Sequence, residues 1–190
     1  MKESEAFAPR IAPVRGHTPE LDEILGKTEV RSGVALLLRT LANNPRLVKR
    51  FNVLAGGLVA KGSVSDRARE LVILRTAYRC QSIFEFGQHT VIGMAAGVTL
   101  DEVHRITQPL EEAGFNADDN ALLQMVDDLA DFNCTTDETW DALSTRWSDA
   151  QMIELLMLSG FYSMIAGIVN SVRVEQESDV PGWPSSDVDS

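Results

Sequence analysis

Apolar residues recur at intervals of three and four along most of this chain, and the strict alternation of a half-buried strand is scarce. That spacing predicts helices over Pro19 to Val30, Val34 to Ala42, Pro45 to Val59, Ser65 to Arg79, Ser82 to Ala96, Leu100 to Thr107, Ala117 to Phe132, Asp137 to Thr145 and Ser148 to Val172. Capping residues stand at several of the starts: Thr18 before Pro19, Asn44 before Pro45, Thr99 before Leu100 and Ser148 before Asp149. Gly97 and Gly114 fall where helix ends need a left-handed residue. The predicted fold class is all-α. Around Cys80 one bent helix through Arg79 to Gln88 fits almost as well as two.

The pattern also divides the chain. Residues 1–16 carry two prolines and little periodicity and read as a flexible arm, while residues 175–190 form an acidic, Ser- and Pro-containing tail. Val180 and Trp183 of that tail could dock on a neighbouring subunit. Residues 17–174 read as a single helical domain. Within it Glu70, Leu71, Leu74 and Tyr78 are echoed by Glu154, Leu155, Leu158 and Tyr162 at identical spacing, which suggests internally repeated helical hairpins.

Composition narrows the function classes. A chain of 190 residues, 44% of them hydrophobic, suits one domain with a substantial core. A formal charge of −11 argues against nucleic acid and anionic membranes as partners. Cys80 and Cys134 match neither a disulfide framework nor a metal motif. No signal sequence is legible, and the apolar stretch Met152 to Val169 is interrupted by Glu154, Ser159, Gly160 and Ser163, so it reads as a core helix. A cytoplasmic protein is expected.

Candidate chemistry concentrates between Glu70 and His89. Glu85 and His89 lie one helical turn apart on the same face, and a hairpin would bring Glu70 to that face. Two carboxylates around one imidazole would keep it protonated to higher pH and fix its tautomer, giving a general acid. Against this, Ser82 and Glu85 form S-x-x-E, the pattern of a capping box. Ser82, Arg75 and Tyr78 are the candidate substrate-binding residues; Arg75 could recognise a substrate carboxylate or equally make surface pairs, and Tyr78, in a place that suits a core or interface aromatic, could line a pocket with its hydroxyl. Cys80 is the nearest thiol, and a lone cysteine among apolar residues is usually a small buried hydrophobe. Glu70, Glu85 and His89 could in principle ligate zinc or iron, but the Glu-x-x-His of helical di-iron sites is absent, so no metal is expected.

The segments SDRARELVILRTAYRCQSIFEFGQHTVIGMAAGVTLDEVHRI and IELLMLSGFYSMIAGIVNSVRVE resemble the carboxymuconolactone decarboxylase-like family of the alkylhydroperoxidase D-like superfamily. The resemblance implies an all-helical hairpin core assembled as a homo-oligomer, a dimer, trimer or hexamer. The peroxidase branch carries C-x-x-C-x-x-x-H with a glutamate on the preceding helix. Here that glutamate is Glu70 and the histidine is His89, but Ser82 and Glu85 occupy the cysteine positions. A dithiol cycle therefore has no resolving partner. The decarboxylase-type branch, whose named reaction expels carbon dioxide from a carboxylated muconolactone in aromatic-acid catabolism without a cofactor, fits better.

The expectation is accordingly a lyase needing no cofactor and acting on a small carboxylated lactone or related acid, with His89, held by Glu85, as proton donor and Glu70 orienting the pair. The alternatives are an antioxidant peroxidase working through Cys80, and an oligomeric binding protein without catalysis.

Overall fold

A computed structural model describes residues 8–26, 32–176 and 180–184, with only the backbone of 32–34. The helices are α1 (Pro19–Leu25), α2 (Ser32–Leu41), α3 (Pro45–Ala55), α4 (Asp66–Arg79), α5 (Ile83–Ala95), α6 (Leu100–Arg105), α7 (Leu110–Ala113), α8 (Ala117–Phe132), α9 (Asp137–Ser144) and α10 (Asp149–Val172). No strand occurs among the described residues.

α4 is the axis of the fold. Its residues Ala68 through Ala77 are all buried, because the helix packs on α5, α8 and α10 at once. Val72 and Ile73 enter one core with Leu122, Met125, Leu155, Leu158 and Tyr162. Leu71 and Leu74 enter another with Phe86, Val103, Ile106 and Leu123. A third, smaller core joins α1, α2 and α3 through Leu21, Leu25, Leu38 and Val48. α10 has the length and apolarity to cross a bilayer, but Leu155, Leu158, Tyr162, Ile165 and Val169 on one of its faces are buried against the rest of the chain.

The expected caps form. Thr18, Asn44, Thr99 and Ser148 each accept a hydrogen bond from a backbone amide of the first turn, and Thr99 and Ser148 complete capping boxes with Glu102 and Gln151. Gly97 and Gly114 adopt positive φ as their positions required. Three elements differ from expectation. α1 ends at Gly26, and the remainder of the predicted helix, residues 27–30, lies outside the described residues. The helix expected through Val59 stops at Ala55 and continues as a π-helical turn over Gly56–Ala60, where the Gly56–Gly57 pair lowers the cost of widening the helix. The single turn α7 is too short for a periodicity to reveal.

Described parts of the arm and the tail make specific contacts with the helical domain. In the arm, the Arg10 amide donates to Val172 O at 2.8 Å and the Val14 amide to Arg39 O at 3.0 Å. In the tail, Trp183 packs its ring on Phe86 and Tyr78 of this same chain, 4.8 and 5.9 Å between centroids, so its partner here is the α4–α5 hairpin. Glu154, the counterpart of Glu70 in the second repeat, reaches from α10 to the loop ahead of α4. Its oxygens accept from the Ser63 amide and hydroxyl, both at 2.8 Å, and from the Val64 amide at 3.1 Å.

Candidate active site

The turn between α4 and α5 sets the geometry of the site. Gln81 takes a left-handed conformation (φ 53°), and the Ser82 amide folds back to donate to Ala77 O at 2.8 Å. The chain thus breaks at Cys80 into two helices and reverses. Further along α5, Gly93 faces α4: a Cβ there would meet Leu74 Cδ1 at 3.4 Å and Glu70 Cβ at 3.5 Å, ordinary van der Waals contact.

Across this contact His89 Nδ1 meets Glu70 Oε2 at 2.6 Å. Glu70 is fully buried and His89 nearly so. A carboxylate can only accept, so Nδ1 is the donor, and Nε2 is the ring nitrogen that Glu70 does not engage. The other Glu70 oxygen accepts from Arg69 Nε at 3.3 Å, while Arg69 Nη1 bonds Asp66 at 2.9 Å. Tyr162 of α10 stands edge-on to the imidazole, 4.9 Å between centroids and 89° between planes. Burial, and then the charges of Glu70 and Glu85, raise the Tyr162 hydroxyl well above its usual pKa against a smaller opposing effect of Arg69.

Glu85 has a different role from the one expected of it. It does not hold His89, whose partner is Glu70 on the neighbouring helix. Nor does it cap α5, because the Ser82 amide that a capping box needs is already committed to Ala77. Both Glu85 oxygens and the Ser82 hydroxyl are buried without a hydrogen-bond partner, and so is Gln88 Nε2 one turn on. Glu85 is only 3% exposed and Ser82 0%. Burial pushes the Glu85 carboxyl up to about 8; Ser82 draws it down slightly without reaching hydrogen-bonding geometry. With its carboxyl raised in this way, Glu85 is a neutral acid at neutral pH.

The remaining expected residues lie elsewhere. Arg75 is buried and spoken for: it clasps Asp127 through Nε and Nη2 at 2.8 and 2.5 Å and donates from Nη1 to Ile106 O and Gln108 O. The expectation that it receives a substrate carboxylate is corrected by that partner, which is already a carboxylate. Tyr78 is half-buried under Trp183 and lines, with Arg75, Arg79 and Gln108, a surface cavity of about 360 Å³ near the C-terminal end of α4. Cys80 Sγ lies 3.8 Å from Ser163 Oγ, and Cys134 is exposed; neither is in a disulfide. Among the described residues no group of three or more His, Cys, Asp and Glu is placed to hold a metal ion. Arg69 carried no signal of its own in the sequence, whereas Tyr162 did, as the repeat counterpart of Tyr78.

Comparison with known proteins bears on the fold. Residues 45–128, which carry Glu70, Ser82, Glu85 and His89, match the Carboxymuconolactone decarboxylase family. An uncharacterized peroxidase-related protein from Silicibacter superposes with a TM-score of 0.76 at 12% identity, covering 94% of this chain and 97% of the other. One from Ralstonia eutropha, described as an alkylhydroperoxidase AhpD core, gives 0.72 at 17%, covering 87% and 93%. The debrominase Bmp8 with bound 2,3,4-tribromopyrrole gives 0.73 at 16%, covering 92% and 95%. At these identities the likeness is one of fold. No curated protein matches the sequence.

Proposed function

We propose that this chain, which belongs to the carboxymuconolactone decarboxylase/AhpD-like superfamily, is a cofactor-independent lyase that expels carbon dioxide from a small carboxylated lactone or related acid. The observation that carries this reading is the buried pair of Glu70 and His89, 2.6 Å apart, beside a carboxyl and a hydroxyl that lack partners.

Breaking the bond to the carboxylate leaves an electron pair on the adjacent carbon, which a neighbouring carbonyl accepts as an enolate. In its imidazolium form His89 delivers the Nε2 proton to that carbon or oxygen, and the neutral ring keeps its Nδ1–H on Glu70. Glu70 therefore fixes the tautomer throughout. Ser82 and Glu85 border the reacting group. Solvent returns the proton to Nε2, so the cycle needs no oxidant and no cofactor.

Exposed Ile153, Met157 and Met164 lie along one face of α10, with Gly160 and Gly167 opening onto free space between them. Beside Met157 a cavity of about 790 Å³ is lined by Val53, Leu54 and Leu58. An apolar face of this kind supports a homo-oligomer. Two unpaired cysteines fit a reducing compartment such as the cytoplasm.

His89→Gln tests the reaction. Carbon dioxide release from a lactone acid should vanish while melting temperature and oligomeric state persist; retained turnover would remove His89 from the chemistry. The fold's peroxidase-related members support a second reading through thiol chemistry. It rests on Cys80, and unchanged hydroperoxide consumption by Cys80→Ser would end it.

A further inference from the structure

Four buried side-chain polar atoms without partners gather at the start of α5: Ser82 Oγ, both oxygens of Glu85 and Gln88 Nε2. Each would ordinarily carry an uncompensated desolvation penalty if left so. Natural folds rarely tolerate such a cluster unless something outside the chain completes it. Ser82 stands immediately ahead of α5 and Glu85 in its first turn, and the Ser82 side chain is near enough to act on the Glu85 carboxyl. The ionisable groups of the same site are Glu70 and Arg69 on α4, His89 on α5 and the neutral Tyr162 on α10, whose hydroxyl senses Glu70, Glu85 and Arg69 together.

We propose that Ser82 and Glu85 together form a receptor for the carboxylate of a small organic acid, with Glu85 in its neutral form donating its O–H to one ligand oxygen and Ser82 donating to the other. Glu85 here takes no part in proton transfer. The inference rests on the proposed function only for the class of ligand. Its argument is one of matched chemistry: two hydroxyl donors side by side complement two acceptor oxygens, and a charged acceptor makes the stronger bonds. Arg75, the cation that would more ordinarily take a carboxylate, is consumed by Asp127. Arg69 is turned toward Glu70 and Asp66. An ionised Glu85 would repel the ligand. The burial that keeps it protonated to about pH 8 therefore makes an anion site without a cation.

The test is calorimetric titration of the whole chain with 5-oxotetrahydrofuran-2-carboxylate and, separately, its methyl ester. Wild-type affinity for the acid should fall about tenfold between about pH 7 and about pH 9, as the competent protonated form is depleted. Glu85→Gln keeps a donor and cannot titrate, so it should bind the acid with a flat pH profile although His89 and Tyr162 are still present. Glu85→Leu should lose more than about tenfold in affinity with its circular dichroism unchanged. Equal binding of acid and ester, a pH profile shared by wild type and Glu85→Gln, or no binding at all would overturn the inference. Carbon dioxide release from the bound acid is followed in parallel. Its absence with Glu85-dependent binding intact would sink the lyase and leave the carboxylate receptor standing.

Discussion

His89 Nδ1 and Glu70 Oε2 lie 2.6 Å apart across the interface of two helices that are joined only through Cys80, Gln81 and Ser82. The pair is buried, so neither member can exchange the other for water. Replacing Glu70 with Gln keeps the shape but leaves the imidazole facing an amide, whose oxygen still accepts and whose charge is gone. The expected result is a fall in kcat of about a hundredfold with little change in KM. Stability in urea should fall by about 1–3 kcal/mol. Wild-type kcat in Glu70→Gln would remove Glu70 from the proton path.

Glu85 gives the protein a pH-dependent stability of unusual sign. Its carboxyl titrates near 4.5 when exposed and near 8 in the fold. Between those values the folded state binds more protons than the unfolded one, so stability falls as pH rises. The contribution is complete below about 4.5 and gone above about 8. In Glu85→Gln that slope should disappear, shifting the difference from wild type by about 3 kcal/mol in favour of the variant between pH 5 and pH 8. Urea denaturation of both proteins across that range is the measurement. Parallel slopes would mean the side chain is ionised throughout.

Gly87 lies where the tail crosses α5. A Cβ there would come within 2.3 Å of Pro181 O and 2.7 Å of Gln176 Nε2. Gly87→Ala should therefore lift residues 180–184 from the hairpin, although alanine favours the helix itself by about 1 kcal/mol. Trp183 emission should shift to the red, and protease cleavage near the tail should accelerate. Unaltered emission and cleavage would mean that the tail is seated elsewhere.

Arg75 is a structural residue. Arg75→Lys cannot reproduce the two-pronged bond to Asp127 or reach both carbonyls. It should lower stability by about 3 kcal/mol and leave KM for a carboxylated substrate unchanged. Unchanged stability with a raised KM would return Arg75 to substrate binding.

The helices were legible because their signals are local: three-and-four spacing, caps at Thr18, Asn44, Thr99 and Ser148, and glycines at 97 and 114. That a hairpin would bring Glu70 to the α5 face carrying His89 was legible too. The pairing within the site was not. Spacing along one helix favours Glu85 for His89, whereas the observed partner depends on how far α5 slides against α4. The turn that leads into α5 runs through a left-handed Gln81, which has no glycine to announce it. The S-x-x-E pattern misled for a related reason: its amide was consumed by the end of the preceding helix. Arg75 found its carboxylate fifty-two residues away, beyond the reach of any local pattern.

Glu154 occupies in the second repeat the place that Glu70 holds in the first, and it grips Ser63 and Val64 immediately ahead of Ser65, the residue that caps α4. One copy of the repeated carboxylate is the anchor for the segment where the other's helix begins. The α4–α5 hairpin is thus moored by its own repeat, and its alignment can be retuned from α10.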